Sequence, residues 1–238
     1  MGNVLAVFRR ELRSAFDSPL AYIVLPVFLA LVAAFTLWFQ DIWSQGVVSL
    51  RTLFSWSAIF FLLLVPAVTM RLFAEERRTG SLELLVTLPI TDAQVVVGKY
   101  LSALALLAIA LLLTLPWPLT LGAVGDLDWG PVVGGYLGLV LLGAAFSAIG
   151  TAASAFTANQ VVAFLLSVLV CLVPFAMGFF LDRVPPAILP VVQYLAFDYH
   201  FDALARGVID SRNVVFYGSV IVTALHVATF ALRHRRLA

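Results

Sequence analysis

Residues 129–181 read WGPVVGGYLGLVLLGAAFSAIGTAASAFTANQVVAFLLSVLVCLVPFAMGFFL. They form 53 consecutive positions without Asp, Glu, Lys or Arg. One helix of that length would reach roughly 80 Å, against a bilayer hydrocarbon core of about 30 Å. The stretch must therefore fold back on itself. Its most polar point, Thr157-Ala158-Asn159-Gln160, lies near its middle. The reading is two membrane helices joined by a tight turn.

The same rule works outward along the chain. The other uncharged intervals are 18–40, 52–70, 100–125 and 213–232, which hold 23, 19, 26 and 20 residues. Each fits one membrane helix of about 20 residues. With the folded-back pair the count is six, at about 20–39, 53–70, 97–119, 131–153, 161–181 and 213–232, in one domain over 1–238. Composition agrees: 63% of the 238 residues are hydrophobic and 11% charged. A soluble domain carries about 25% charged residues, and a soluble fold of this size would leave large apolar patches exposed. A soluble enzyme, a disordered chain and a disulfide scaffold are excluded; the single cysteine, Cys171, lies mid-span. The fold class is all-α integral membrane.

Six spans put both termini on one side. That side carries Arg9, Arg10, Arg13, Arg71, Arg77, Arg78, Lys99, Arg233, Arg235 and Arg236, and the other carries Arg51, Arg183, Arg206 and Arg212. Ten basic residues against four place both ends in the cytoplasm. The tryptophans Trp38, Trp43 and Trp56 near the first outer connection suit an aromatic belt.

The segments between spans carry the rest of the information. Over residues 1–18, Val4, Leu5, Phe8, Leu12 and Phe16 fall on one helical stripe and Arg9, Arg10, Glu11 and Arg13 on the remainder, as in an amphipathic helix lying on a membrane surface. Ser18-Pro19 reads as an N-cap followed by proline at the first helical position. Pro66 kinks the second span, as a packing feature or a hinge. Residues 71–98 are the most polar internal stretch. Glu75 and Glu76 followed by Arg78 allow an i,i+3 pair, Gly80 weakens the helix, Pro89 ends the segment, and Thr91 with Gln94 forms a capping box. An ordered helix-break-helix elbow of this length, where bundle connections hold about 2–8 residues, calls for a partner. In the fourth span Gly130, Gly134 and Gly138 stand at four-residue spacing, a face for close backbone approach within the chain or across a dimer. Residues 182–212, with Pro185, Pro186 and Pro190, are too short and too polar to cross, and fit an outer re-entrant helical segment.

Catalytic signatures are missing. Gly98-Lys99 lacks the upstream glycine of a phosphate-binding loop. Asp198-x-His200-x-Asp202 has poor spacing for joint metal ligation on a helix, so a solvated or capping role is read there. His226, inside the last span, reads as a neutral imidazole bonded to a neighbour.

Several stretches together resemble ABC-2-type transporter permeases: Arg10-Glu11-Leu12, Phe16-Asp17-Ser18-Pro19, Ala21-Tyr22, Met70-Arg71, Glu75-Glu76-Arg77, Gly80-Ser81-Leu82-Glu83-Leu84-Leu85, Leu88-Pro89, Gly98-Lys99, Thr157-x-Asn159-Gln160 and His200-Phe201 with Arg206-Gly207-Val208-Ile209-Asp210. The closest subgroup is the gliding-motility (GldF-like) type, with NosY-like copper-site maturation permeases nearby. The resemblance implies a non-catalytic permease subunit in a bacterial cytoplasmic (inner) membrane. It would pair with a second permease copy or a homologous one and recruit two separate ABC ATPase subunits, which bind ATP and Mg, while this chain binds no cofactor and no metal. An auxiliary or outer-face subunit is a further expected partner beside the lipid bilayer; nucleic acid is not one. Glu75, Glu76, Arg77, Gly80, Ser81, Leu82 and Glu83 would lie at or beside the coupling helix that seats in the ATPase. Thr157, Asn159 and Gln160 would form a second inner contact, and Arg9, Arg10 and Glu11 would belong to the interfacial helix. The alternative function is a membrane scaffold or assembly factor that applies ATPase strokes to an outer partner.

Overall fold

A computed structural model describes residues 2–39, 49–80 and 90–236, and among these the secondary structure is entirely helical. The elements are α1 (Gly2–Asp17), α2 (Pro19–Phe39), α3 (Arg51–Thr69), α4 (Arg71–Thr79), α5 (Asp92–Leu112), α6 (Pro116–Val124), α7 (Trp129–Phe156), α8 (Gln160–Met177), α9 (Leu189–Leu195), α10 (Phe197–Ala205) and α11 (Ser211–Arg236), with a 3-10 turn at Gly178–Arg183 after α8. Six helical stretches are long and apolar enough to cross a membrane: Pro19–Trp38, Arg51–Thr79, Asp92–Val124, Trp129–Phe156, Gln160–Arg183 and Ser211–His234. They are the six that the charge-free intervals lead one to expect.

Local chemistry sets most of the boundaries. The Thr91 hydroxyl accepts from the Gln94 N–H while Gln94 Oε1 accepts from the Thr91 N–H, and this reciprocal cap starts α5. Asp128 caps α7 through the Gly130 N–H. At the hairpin, Thr157 Oγ1 accepts from the Asn159 N–H, and Asn159 Oδ1 accepts from the N–H groups of Val161 and Val162. Asn159 is thus the N-cap of α8, and the turn expected inside the 53-residue stretch closes there. Ser18 behaves differently from its expected capping role: its hydroxyl donates to the Ala15 carbonyl and accepts from Arg71, so it serves α1 and α4 rather than the first turn of α2.

Three spans depart from uniform α-helices, the fifth by passing from α8 into the 3-10 turn at Gly178–Arg183. The third is split between α5 and α6, because Pro116 has no N–H to continue the ladder. Thr114 at the break donates to the Leu111 carbonyl at 2.7 Å and meets the Tyr136 hydroxyl at 3.0 Å. The second continues through Pro66 and past Met70 into α4. Gly80, at φ 74°, then ends α4 in the left-handed conformation that glycine adopts without strain.

The fourth span is the axis of the bundle. Of its most apolar window 72% is buried, against 22% for the span containing α8 and 28% for those of α2 and α11, which leaves these three as the outer wall of the bundle. In a bilayer, helices associate by close packing rather than by escape from water, so small residues matter most on the central helix. A Cβ on Gly134 would overlap the Leu204 carbonyl oxygen of α10, and one on Gly150 would overlap the Thr69 hydroxyl of α3. Gly138 lies against Phe201 and Leu204, also of α10. Gly134 and Gly138 therefore make contacts within the chain.

Candidate functional site

The short helix α4 is fixed from three sides. From α7, the Ser154 hydroxyl donates to the Met70 carbonyl at 2.8 Å and accepts from the N–H groups of Phe73 and Ala74 at 3.0 and 3.1 Å. Those two amides belong to the first turn of α4 and have no partner within it, so a side chain from another helix supplies the cap.

From α5 comes Lys99, a charge with no exposed surface. Its ammonium lies 2.7 Å from the Leu72 carbonyl, 3.0 Å from Glu76 Oε1 and 3.1 Å from Glu11 Oε1. An ammonium has three N–H donors, and three oxygens surround it. The Phe73 ring centroid adds a cation–π contact at 5.1 Å. The desolvation of Lys99 is offset by two carboxylates and a peptide dipole, the condition under which a buried charge is tolerated.

From α1, Arg10 completes the cluster. Its guanidinium meets Glu76 Oε1 at 2.6 Å and Glu11 Oε1 at 2.8 Å. Each of those two oxygens therefore bridges Arg10 and Lys99. Burial works against the charge of Arg10, but the neighbouring Glu11 and Glu76 carboxylates outweigh it and hold the guanidinium pKa above its ordinary value. Four charges from α1, α4 and α5 cancel to zero around a common centre.

α1 reaches this cluster because it packs along α5. A Cβ on Gly98 would come 2.8 Å from the Val7 side chain and 3.1 Å from the Val4 carbonyl, so the bare backbone of α5 is what admits α1. Val4, Val7, Glu11 and Ala15 form the face turned toward the protein. The apolar stripe read from the sequence, Val4, Leu5, Phe8, Leu12 and Phe16, shares Val4 with this face and runs beside it: Leu5 is exposed, Phe8 and Leu12 are half-buried, and Phe16 packs against buried apolar residues of the bundle.

The site residues expected from sequence fall out as follows. Glu75 is exposed on α4, Glu76 belongs to the four-charge cluster, Arg77 is half-buried and Gly80 ends α4. Ser81, Leu82 and Glu83 lie outside the described residues. Among the described residues no ion pair joins Glu75 to Arg78; the carboxylate that pairs is Glu76, and its partners are on other helices. Thr157, Asn159 and Gln160 sit at the α7–α8 hairpin, directly after Ser154. Arg9 is exposed on α1. Lys99, counted in sequence among the cytoplasmic basic residues, is buried and neutralised. The signal available for it was the glycine before it, which lets another helix approach.

At the other end, Asp198, His200 and Asp202 do not converge. His200 is buried, with Nδ1 2.7 Å from Asn213 Oδ1 and Nε2 3.0 Å from the Tyr194 carbonyl. Asp202 pairs with Arg51 and Arg206. Asp198 is partly buried, and burial first, then the Asp202 charge, raises its carboxyl above the usual carboxylate range. His226 is exposed on α11 and bonds the Val222 carbonyl at 2.9 Å.

A bundle of six apolar spans, with a charged helix built into one end and two short helices at the other, has the form of a polytopic membrane protein. The comparison with known families is specific: the family model described as an ABC-2 family transporter protein matches residues 44–230. The chain belongs to the ABC-2 transporter family. It is the membrane component of an ABC transporter, a permease subunit that is not catalytic itself, in a family that works with separate ABC ATPase subunits. None of the curated proteins compared with it matches.

Proposed function

We propose that this chain is one subunit of a dimeric permease, and that motion of two ATP-hydrolysing partners enters it through the segment between Gly80 and Ile90 and is carried by α4. The observation behind this reading is the four-charge cluster. Glu76 of α4 is ion-paired to Arg10 of α1 and Lys99 of α5, so a displacement of α4 acts on three helices at once. Rigid-body shifts of packed helices then tilt the spans and change which side of the membrane the pathway faces. In this reading Glu75, Arg77, Gly80, Ser81, Leu82 and Glu83 lie at or beside the ATPase contact. Thr157, Asn159 and Gln160 supply a second contact, α1 is the interfacial helix, and both termini face the cytoplasm of a bacterial inner membrane. The residue matches quoted above favour the gliding-motility or copper-maturation subgroup.

The decisive experiment is co-purification with the cognate ATPase, with turnover measured in proteoliposomes. The chain alone should hydrolyse no ATP, bind the ATPase and modulate its rate. Gly80→Pro combined with Glu83→Arg should uncouple the complex, since proline cannot adopt the positive φ of Gly80. Unchanged binding and turnover in that variant would sink the coupling assignment. Vesicle assays separate transport from force on an outer partner: ATP-dependent substrate movement supports export, and hydrolysis without movement supports the scaffold reading.

A further inference from the structure

A cavity of about 410 Å³ opens beside the four-charge cluster, between α1, α2, α3, α4 and α5. That volume is within the range of small-molecule sites, roughly 300–1,000 Å³. Its rim is charged and its floor is apolar, formed by Leu20, Val68, Leu72, Ala103 and Leu106. Val68, Ala103 and Leu106 also line a narrow apolar slot that leads on between α2, α3 and α5.

The charges around the cavity sort into two groups. Arg10, Glu11, Glu76 and Lys99 neutralise one another. Arg71 and Glu75 remain. They stand four residues apart on α4 and both line the cavity, yet among the described residues they form no ion pair with each other or with any other side chain. Arg71 makes one hydrogen bond, donating from Nη1 to the Ser18 hydroxyl at 3.0 Å. A guanidinium has five N–H donors, so most of this one is left to face the cavity. The rim thus offers one cation for a phosphate and, one helical turn away, one carboxylate for an ammonium, above an apolar floor.

We infer that this cavity binds the headgroup of a zwitterionic phospholipid with a primary ammonium, of the phosphoethanolamine type. Arg71 takes the phosphate through paired N–H donors, a geometry suited to guanidinium. Glu75 accepts from the ammonium, and Leu20, Val68 and Leu106 meet the glycerol and first acyl carbons. The lipid would then stand between α1 and α2 and brace α4 against both. The inference rests on the reading that α1 lies at the bilayer surface.

Native mass spectrometry of the purified chain tests it, with phosphatidylethanolamine, phosphatidylcholine, phosphatidylglycerol and free phosphoethanolamine as probes. Phosphatidylethanolamine should be retained best. Phosphatidylcholine has no N–H to give Glu75, and phosphatidylglycerol has no cation for it. Arg71→Gln should weaken retention of phosphatidylethanolamine about tenfold, the order expected for loss of a charge-assisted hydrogen bond. Glu75→Gln alters an exposed residue and leaves the packing intact; it should narrow the difference between phosphatidylethanolamine and phosphatidylglycerol. Arg78→Gln, exposed and outside the cavity, should change neither. Equal retention of all three lipids, or no effect of Glu75→Gln on their order, overturns the proposal. Equal binding of free phosphoethanolamine overturns the lipid as the ligand. A spin label at Leu5, in a Cys171→Ser background, reads the depth of α1 separately. A label in bulk water refutes the surface placement whatever the lipid data show.

Discussion

At one end of the bundle a lysine with no exposed surface lies between two glutamates; at the other a histidine that is 3% exposed lies between an asparagine, a carbonyl and a phenylalanine ring. Both arrangements seat short helices on the long ones. The charged end does so with Arg10, Glu11, Glu76 and Lys99. The aromatic end uses the His200 ring stacked on Phe216 at 4.1 Å, Phe197 packed on Phe216 at 5.5 Å, and the Tyr217 hydroxyl donating to the Phe197 carbonyl at 2.9 Å. The two kinds of contact respond differently to displacement. Coulomb attraction falls only as the inverse of distance, whereas a packed contact forfeits a quarter to a half of its dispersion energy within a gap of about 0.5–1 Å. At the charged end each bridging oxygen also serves two cations, so a shift that lengthens one pair can shorten another. The ion-pair cluster on α4 tolerates small movements, and the aromatic contacts on α10 resist them.

The comparison is broken most severely at Lys99. Lys99→Ala leaves Glu11 and Glu76 facing each other with Arg10 as their one remaining cation in the cluster, and should cost about 3–5 kcal/mol, read as thermal unfolding in detergent. An effect below about 1 kcal/mol would show that the cluster is solvated and the contrast false. Next comes Gly134→Val, which drives a side chain into the α10 backbone. It should cost about 1–3 kcal/mol and increase proteolysis at the α10 end while leaving α4 protected. Asn213→Ala removes one partner of the buried His200 ring and should cost about 1–2 kcal/mol, with no dependence on salt. Arg10→Gln acts on a half-exposed side chain and should cost about 0.5 kcal/mol, an effect that shrinks at high ionic strength. This salt test sharpens the contrast, because the loss at Arg10 should respond to it and the loss at Asn213 should not.

The smallest effect is a pH dependence at Asp198. Its carboxyl titrates above the usual range in the folded chain, so the native state binds this proton more tightly than the unfolded state does. The associated stability is fully present below the unfolded value of about 3.9 and is lost as pH rises through the raised folded value. Asp198→Asn should therefore be slightly more stable than wild type at pH 7, and the gain should vanish below about pH 4. A gain that persists on acidification would show that the carboxylate is well solvated.

Much of this architecture is legible in the sequence because a bilayer imposes one simple rule. Charges are expensive in hydrocarbon, so 53 residues without one at positions 129–181 already require a hairpin, and Asn159, a strong capping residue, stands where the turn falls. The capping box at Thr91 and Gln94 is equally local. What the sequence hides is pairing between distant residues. Glu75 and Arg78 look like a pair on a helix surface, but the carboxylate that pairs is Glu76, and its partners come from positions 10 and 99. Lys99 looks like one more inner-face cation, and what buries it is the approach of α1 at Gly98 together with Leu72, Phe73 and Glu76 of α4. The stripe Val4, Leu5, Phe8, Leu12 and Phe16 is visible on α1, but the adjoining line Val4, Val7, Glu11 and Ala15 is interrupted by Glu11 and does not stand out as apolar. The break at Thr114 follows from Pro116, yet a proline in a membrane helix is compatible with a kink as well as a break.

The hydroxyl of Ser154 has a mechanical consequence. It bonds the Met70 carbonyl and the Phe73 and Ala74 amides together, so bending the chain at Met70 requires three hydrogen bonds to fail at once. With that joint locked, α3 and α4 act as one rod of 29 residues, roughly 44 Å long at 1.5 Å per residue. A rod does not dissipate a push along its length. An axial displacement applied at Gly80 is directed along that rod toward Arg51, which pairs with Asp202 of α10.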